Sequence, residues 1–486
     1  MISFDIAPRI NRRKQAVFFP FFKEDAKKSL RKAFRGLSSV QKRAVRKTLE
    51  SGRFPASGVL PVFSNDAPVF IQLLGEKKKF TTREAREIGE SLHSTAAKFE
   101  VEQAAALSGV LKKDQWKAFQ EGIVLGLYEF VHWKGAKKSE DSKKKNEKEK
   151  KLSHVQIVGP KDASWEKQLK TLFEAVKYTK DLINEPPNVA TPSYLEKIAR
   201  EITKNLSHVS IEVLREKELI KLGCGGILAV GLGSEEESRL LLLKYSGGKK
   251  EAPLALVGKG VTYDSGGLNT KGQYMRTMKQ DLGGAATVLG AFFALAKTKV
   301  KKNIIAAIPA VENLISAKSY KPDDVLRMYN GKTVEITNTD AEGRLILADA
   351  LAYVEKRYSP RAIVDMATLT GGCVYAVGND IVALLGKNSQ MVAALLESSK
   401  SVDEPLWELP IHDRYEQNLE SKIADIVNAS GKMKAMVIEG ALFLQHFVTE
   451  KTPWCHLDIA SVTFDENLGM ATGRNVRLLW DFVEKY

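Results

Sequence analysis

The 486-residue sequence has few cysteines, no long apolar run and no excess of acidic charge. Its three cysteines (Cys224, Cys373 and Cys455) are too few for a disulfide framework, and none belongs to a closely spaced zinc-binding pair. No stretch approaches the ~18 consecutive apolar residues of a membrane helix. With 44% hydrophobic and 27% charged residues, the composition excludes a disordered or collagen-like chain. We therefore expect a folded protein in a reducing compartment.

The N-terminus lacks the pattern of a secretory signal. Its apolar stretch, Ala16–Phe22, contains Pro20 and is not followed by small residues, so it predicts a buried strand. The basic first residues leave an organellar transit peptide open as an alternative, but a cytoplasmic location is the expectation.

The net charge of +15 is concentrated in the first third of the chain. Residues 1–151 contain 33 Lys/Arg and 18 Asp/Glu, whereas residues 152–486 contain 41 of each. The segment 134–151 has nine lysines and no apolar residue larger than alanine, so it cannot bury a face. We predict a basic N-terminal domain over 1–133, a Lys-rich linker or insertion over 134–159 and a second domain over 160–486.

Such a basic surface has two explanations. It can bind nucleic acid, or it can be the solvated face of amphipathic helices, and aromatic or Gly-rich RNA-binding signatures are absent. Nucleic-acid binding by the N-terminal domain is kept as the alternative function.

Apolar runs that alternate with amphipathic stretches predict an α/β protein. In the N-terminal domain, helices are predicted around 25–50, 82–96 and 115–130. The strands there are predicted at Ala16–Phe22, Gly58–Phe63 and Val69–Leu74.

In the second domain, a helix over Ser164–Leu182 ends at Asn184-Glu-Pro-Pro-Asn188, and another begins near Thr191-Pro-Ser193. Further helices are predicted at Leu282–Ala296 and Gly343–Lys356. Continuously apolar strands are predicted at Gly226–Val230, Leu240–Tyr245, Ala252–Val257, Asn303–Ile308 and Ala362–Leu369, and another strand is predicted at Val334–Thr337. Such strands predict a larger α/β domain, whose mixed sheet is covered by helices on both faces, beside a smaller N-terminal α/β domain.

Four carboxylates lie just past predicted strand ends, where functional groups collect in α/β sheets. Asp264, Asp281, Asp340 and Glu342 have Gly, Thr and apolar neighbours, so we expect them in a cleft that needs a cation. Carboxylate oxygens suit Zn, Mn, Mg or Co ions. Two ions held by shared carboxylates would activate a water molecule for hydrolysis.

Taken singly, each feature has a simpler explanation. Gly258-x-Gly260 lacks the spacing of a dinucleotide loop, Asp264 could be a turn residue and Asp340 a helix cap. Together, Val257–Gly267 and Asn338–Leu345 are too specific for coincidence. They resemble the metal-binding segments of the cytosol leucine aminopeptidases, a family of dinuclear metalloexopeptidases.

The resemblance covers most of residues 160–486, so that this domain would be the catalytic peptidase domain. The N-terminal domain carries no matching motif. The other matching segments are Asn184–Asn188, Lys332–Glu335, Asp365–Gly371, Trp454–Ala460 and Gly469–Arg474.

The resemblance implies a two-ion site, with Mn or Zn expected and Mg or Co as alternatives. Asp264 and Glu342 would bridge both ions. Lys259 and Asp281 would complete the tightly held site, and Asp340 the exchangeable one. A lysine ligand must be a neutral amine, so the ions would have to lower its pKa.

The resemblance also assigns catalytic and pocket residues. Lys271 would bind the developing oxyanion, and it is retained for this role over nearby Lys279 although its interval to Asp281 is shorter than in relatives. Arg344 would hold a bicarbonate ion that acts as general base. The side-chain pocket would be lined by Met278, Asn338, Thr368, Leu369, Gly371 and Met470.

The expected function is that of a leucyl aminopeptidase. It would release N-terminal leucine and similar apolar residues from peptides through a water activated by two metal ions. The resemblance implies a homohexamer, which the sequence alone does not. His456, Cys373 and Cys455 are interpreted as core residues.

Overall fold

The computed structural model describes residues 2–7, 10, 15–22, 37–51, 58–107, 110–133, 152–159, 162–248, 250–432 and 434–486. The chain forms two compact units, Met1–Phe173 and Glu174–Tyr486, each with helices and strands. The predicted two-domain α/β architecture is confirmed. The Lys-rich segment 134–151 lies outside the described residues. None of the described helices is both long and apolar enough to cross a bilayer.

The first unit contains one six-stranded sheet. Its strands are β1 (Ser3–Ala7), β2 (Ala16–Phe22), β3 (Gly58–Val62), β4 (Val69–Leu74), β5 (Gln103–Leu107) and β6 (His154–Val158). Its described helices are α1 (Ser39–Glu50), α2 (Thr82–Lys98) and α3 (Lys113–Gly126). The strand order is β1-β6-β5-β2-β4-β3, and β3 alone among these strands is antiparallel to its neighbour.

Continuous apolar runs predict some of these strands and not others. Strand β2 coincides with its predicted run, because all seven residues are buried within the sheet. Strand β5 is not predicted, since Gln-Ala-Ala-Ala-Leu lacks the β-branched and aromatic residues typical of strands. Strand β6 lies in the span assigned to the linker, yet it pairs with both β1 and β5.

Helix α4 (Ala163–Asn184) contains the boundary between the units, and the second unit begins within it at Glu174. Its further helices are α5 (Pro192–Thr203), α6 (Glu216–Leu222), α7 (Gly225–Gly231), α8 (Gly283–Thr298), α9 (Glu342–Tyr358), α10 (Gly372–Val377), α11 (Ser389–Val402), α12 (Met436–Gln445) and α13 (Val476–Lys485). The first of its strands are β7 (Val209–Arg215), β8 (Arg239–Ser246), β9 (Leu254–Gly258), β10 (Gly260–Asp264), β11 (Asn303–Asn313), β12 (Val325–Arg327) and β13 (Thr333–Glu335). The remaining strands are β14 (Ala362–Ala367), β15 (Val382–Gly386), β16 (Leu406–Glu408), β17 (Ile426–Val427), β18 (Trp454–Asp458), β19 (Phe464–Asp465) and β20 (Met470–Ala471).

A nine-stranded mixed sheet forms the centre of this unit. Its order is β16-β15-β18-β14-β9-β11-β8-β7, and β10 pairs with β11. The four strands β18, β14, β9 and β11 are parallel, so their carboxyl ends meet at one edge. Helices α8 and α9 both contact β9, and each is buried along most of its length. The segments after these strands and before these helices therefore lie close together.

The run Gly226–Val230 was predicted as a strand, and this prediction is wrong because it lies in helix α7. A short apolar run fits a buried helix as well as a buried strand. The helix is favoured by Asp349 of α9, whose Oδ2 accepts a hydrogen bond from the Ile227 main-chain N–H at 3.0 Å. The predicted strand Val334–Thr337 ends earlier, at Glu335, because Asn428 Oδ1 accepts the main-chain N–H of Thr337 at 2.9 Å.

Candidate metal centre

Four carboxylates lie just beyond the strand ends of the second unit. Asp264 is the last residue of β10, Asp281 lies in a 3-10 turn (Met278–Leu282) before α8, and Glu342 is the first residue of α9. One oxygen each from Asp264, Asp340 and Glu342 lies within 4.8 Å of the others, a cluster identified among the described residues. The folded chain thus brings together residues that are up to 78 positions apart.

Each of two lysines contacts two of the four carboxylates. Lys259 Nζ lies 2.7 Å from Asp281 Oδ1 and 2.8 Å from Glu342 Oε1. Lys271 Nζ lies 2.8 Å from Asp264 Oδ2 and also contacts Asp340 Oδ1. The shortened interval before Asp281 therefore does not keep Lys271 away from the cluster.

Burial and mutual repulsion set the electrostatics of this cluster. Burial, with the charge of Glu342 beside it, raises the pKa of Asp340 to about 7, and burial likewise raises that of Asp281 to about 7. Burial also acts to raise the pKa of Glu342, but Lys259 and Lys271 hold it below its ordinary value. For both lysines, burial acts to lower the pKa, and the surrounding carboxylates raise it above the ordinary value. Positive charge is what stabilises the ionised carboxylates here.

The donor set fits divalent cations. Asp281 Oδ2 is buried and has no hydrogen-bond partner in the described part of the chain, so it can accept a cation. Carboxylate oxygens and an amine nitrogen are ligands for Mn or Zn. Lysine ligates only as a neutral amine, so an ion bound at Lys259 has to release the proton of that side chain.

Strand register orients Asp264. Its Oδ1 accepts hydrogen bonds from the Gly266 main-chain N–H at 2.9 Å and from Asn313 Nδ2 at 2.8 Å. Asn313 ends β11 and is the register partner of Asp264 in the parallel pair of β10 and β11. The sequence analysis missed Asn313 because no motif marks it, and the pairing of these two strands is the signal that identifies it.

Two glycines make room for Lys259. A Cβ atom on Gly343 would lie 2.5 Å from Lys259 Cε. A Cβ atom on Gly284 would lie 2.1 Å from the main-chain oxygen of Met366 and 2.8 Å from Lys259 N. The start of α8 therefore lies against the main chain of β14, and any side chain at position 284 would separate them.

Arg344 lies in the first turn of α9, beside the cluster. Its guanidinium is buried, and one of its terminal N–H groups donates to the main-chain oxygen of Asn428 at 2.7 Å. Its Nε is buried without a partner among the residues that the structure describes. Burial lowers its pKa, although Glu439 and Glu342 oppose this. A buried guanidinium with an unused N–H fits a small anion such as bicarbonate.

The predicted pocket residues fall into three segments. Thr368 follows β14, and its hydroxyl donates to Asp281 Oδ1 at 2.7 Å while its main-chain oxygen accepts from Lys259 Nζ at 2.8 Å. Next to it, the Leu369 main-chain N–H donates to the buried Asp458 at 3.1 Å. A Cβ atom on Gly371 would meet no atom within 4 Å, so this end of the loop borders open space.

Of the other predicted pocket residues, Met278 and Asn338 shortly precede Asp281 and Asp340, and Met470 lies near the C-terminus. Asn338 Oδ1 accepts the Asp340 main-chain N–H at 2.9 Å. Met278 opens the 3-10 turn that contains Asp281, and Met470 opens β20; both are half-buried.

Four other residues do not join the cluster. Lys279, the alternative cation, donates to the main-chain oxygen of Asn184 at 2.5 Å, and burial lowers its pKa. His456 is fully buried on β18, with Nδ1 2.6 Å from Asp365 Oδ1. Cys373 and Cys455 are buried free thiols.

Residues 177–480 match the catalytic-domain model of the cytosol aminopeptidase family. The chain belongs to the cytosol aminopeptidase family. It is accordingly an aminopeptidase, a hydrolase of a metal-dependent family.

Relatives with known names are similar over most of the chain. A probable cytosol aminopeptidase of Hydrogenovibrio crunogenus is 41% identical over 381 residues, which cover 76% of this chain and 75% of the relative. Another from Stenotrophomonas maltophilia is 37% identical over 420 residues, which cover 85% and 83%. A solved bottromycin maturation enzyme in complex with Mn is 28% identical, with a TM-score of 0.83 over 97% of this chain and 99% of that one.

Proposed function

We propose that the protein is a leucyl aminopeptidase that uses two divalent ions, Mn or Zn, bound by Lys259, Asp264, Asp281, Asp340 and Glu342. The observation that supports it is the buried acidic cluster flanked by Lys259 and Lys271, with Asp264, Asp340 and Glu342 oxygens within 4.8 Å of one another. The Mn of the bottromycin enzyme supports manganese as one such ion. Bound ions of this kind supply a water nucleophile at neutral pH.

The residues of the chain orient the substrate and stabilise charge. Lys271 is not one of the proposed metal ligands, so it keeps its proton, and its ammonium donates to the scissile carbonyl oxygen as negative charge develops there. Arg344, whose guanidinium donates to the main-chain oxygen of Asn428, would hold bicarbonate, and bicarbonate bound there would supply a general base. The free amine of the substrate would bind at the metal centre, which would make the enzyme an exopeptidase.

The pocket for the first side chain is formed by Met278, Asn338, Thr368, Leu369, Gly371 and Met470. Two methionines make such a pocket apolar and adaptable, which suits leucine and similar side chains. Thr368 hydrogen-bonds to Lys259 and Asp281, which supports a pocket next to the proposed metal ligands.

Cytoplasmic location and a homohexameric assembly belong to the same proposal. The names of the relatives support the first, and the resemblance of the sequence to the family supports the second.

Hydrolysis of leucine amide tests the proposed function. We expect turnover with added Mn or Zn, loss of turnover after chelation and recovery when the metal is returned. Undiminished turnover in the thoroughly chelated protein would contradict the metal-dependent mechanism.

A further inference from the structure

We infer that Asn184 is a positioning residue that holds the two methionine-bearing segments of the side-chain pocket and thereby sets the preference for leucine. This inference rests on the proposed function, because it concerns the same pocket. It gives a role to the motif Asn184-Glu-Pro-Pro-Asn188, which the metal centre does not use.

Asn184 bonds to two segments that are far apart in sequence. It is the last residue of α4 and is almost fully buried. Its main-chain oxygen accepts a hydrogen bond from Lys279 Nζ at 2.5 Å, and its side-chain Oδ1 accepts the Ala471 main-chain N–H at 2.8 Å. Ala471 lies 287 positions further along the chain.

Each partner of Asn184 is the neighbour of a pocket methionine. Lys279 directly follows Met278 in the 3-10 turn, and Ala471 directly follows Met470 in β20. Asn184 therefore bonds to the main chain beside Met470 and, through the Lys279 side chain, to the residue beside Met278.

Neither segment has much regular structure of its own. The turn at Met278 starts after Thr277, which has a positive φ of 82°, and β20 is a two-residue strand that pairs with β19. Short elements have few main-chain hydrogen bonds to define their position. The contacts with Asn184 add to the hydrogen bonds that Asp281 makes in the turn and that Thr472 makes with Thr463 just after β20.

Asn184 is itself well anchored. Helix α4 precedes it, and the Glu185 main-chain N–H donates to Asp181 at 2.9 Å. The next two residues are prolines, which fix φ and restrict the residue before them. The main-chain oxygen of Pro186 accepts the N–H groups of both Val189 and Ala190 at 2.9 Å. A helix on one side and a tight turn on the other keep Asn184 in place.

The experiment compares leucine amide with alanine amide, using the Mn-loaded enzyme. Asn184→Ala removes the acceptor of the Ala471 N–H, and Lys279→Met removes the ammonium while keeping the length of the side chain. We expect each variant to lower the leucine-to-alanine ratio of kcat/KM about tenfold, the effect of roughly one methylene contact in a pocket. The kcat for alanine amide and the Mn content should stay near wild type, because a methyl side chain does not reach between the two methionines. In the double variant, the fall in this ratio should be smaller than the two single falls combined, because both substitutions disrupt contacts of Asn184.

Asn303→Ala is the matched control. Asn303 also joins main chains, since its Oδ1 accepts the Gly248 N–H at 3.0 Å and its Nδ2 donates to the Glu251 oxygen at 2.9 Å. It lies at the start of β11, at the end of the strand remote from Asn313. This variant should keep the wild-type substrate ratio.

The possible outcomes separate the inference from the proposed function. A wild-type enzyme that prefers leucine, together with Asn184 and Lys279 variants that keep this preference, would overturn the inference and leave the proposed function intact. A fall in kcat/KM by the same factor for both amides would also overturn the inference, because a residue that only stabilises the fold would have this effect. A wild-type protein inactive on both amides would overturn the proposed function, and the inference with it.

Discussion

Lys259, Lys271 and Lys279 have the same side chain in three different surroundings. Lys259 is enclosed between Asp281 and Glu342, Lys271 contacts Asp264 and Asp340, and Lys279 donates to a main-chain oxygen of α4. Since only the first would be a metal ligand and only the second would contact the substrate carbonyl, the three should be distinguishable by measurement.

Lys271→Ala should lower kcat by on the order of 10²–10³, the usual cost of losing one oxyanion donor, with metal content kept. Lys259→Ala should instead reduce the metal content, because it removes a ligand. Lys279→Ala should reduce turnover far less than Lys271→Ala. The measurements are kcat on leucine amide and metal per chain by elemental analysis. A large kcat defect in Lys279→Ala without one in Lys271→Ala would assign the catalytic cation to Lys279.

The bridging carboxylates give a second prediction at this scale. In the proposed two-ion site, Asp264→Ala or Glu342→Ala would remove a ligand shared by both ions and leave the remaining carboxylates poorly neutralised. Metal content and activity should both collapse, as elemental analysis and a leucine amide assay would show. Asp380→Ala is the control, because Asp380 is an exposed carboxylate paired with Arg474. Either site variant with two bound ions and near-normal turnover would contradict the dinuclear site.

The sequence predicts the charged residues of the site better than the neutral residues that hydrogen-bond to them. The four carboxylates and two lysines follow strands in Gly-rich segments, a pattern that local sequence reveals. Asn313 and Asn428 act through hydrogen bonds made across the sheet or between loops, so only the tertiary structure identifies them.

At the scale of elements, helix α7 shows where local pattern is insufficient. Its residues are apolar throughout, and its conformation depends on Asp349, which accepts the main-chain N–H groups of Ile227 and Tyr329 from within α9. The strands β2 and β4 could be predicted because long apolar runs need no such partner. Strand β6 could not, since its partners β1 and β5 are distant in sequence.

Asp349 also gives a pH prediction. Burial raises its pKa to about 7, despite the opposing main-chain hydrogen bonds, so the folded state binds this proton more tightly than the unfolded state. Its contribution to the free energy of unfolding should therefore fall as the pH rises from about 4, the ordinary carboxyl pKa, to about 7, and it should level off above that. The difference in unfolding free energy between wild type and Asp349→Asn, measured with denaturant, isolates this titration because asparagine does not ionise. A difference that stays constant over this range would show that Asp349 does not titrate there.

At the scale of the molecule, the excess positive charge and the proposed metal ligands lie in different parts of the sequence. Residues 1–151 carry the net +15, whereas the proposed ligands all lie beyond residue 258. In helix α1, Arg43, Arg46 and Lys47 are exposed while Val45 and Leu49 are buried, the pattern of a solvated helix face. Nucleic-acid binding by the first unit stays a prediction, which a salt-dependent mobility shift of the full-length protein would test.

The whole enzyme should act only at a free N-terminus. If the amine of the substrate joins the metal centre, acetylation removes its lone pair and should abolish cleavage of leucine peptides. Chromatography of the products from matched free and acetylated peptides measures this. Equal rates on the two would indicate an endopeptidase.

The contact between Gly284 and the main chain of β14 limits which substitutions the protein can tolerate at this position. Every other amino acid at position 284 would place a carbon 2.1 Å from a carbonyl oxygen that cannot move without shifting Lys259, its hydrogen-bond donor at 3.1 Å. In a saturation library selected for growth on a leucine peptide, position 284 should return glycine alone. Gly272, where a Cβ atom would meet no neighbour within 4 Å, should tolerate asparagine or aspartate despite its φ of 55°. The freedom to mutate would thus differ sharply between two glycines only twelve positions apart.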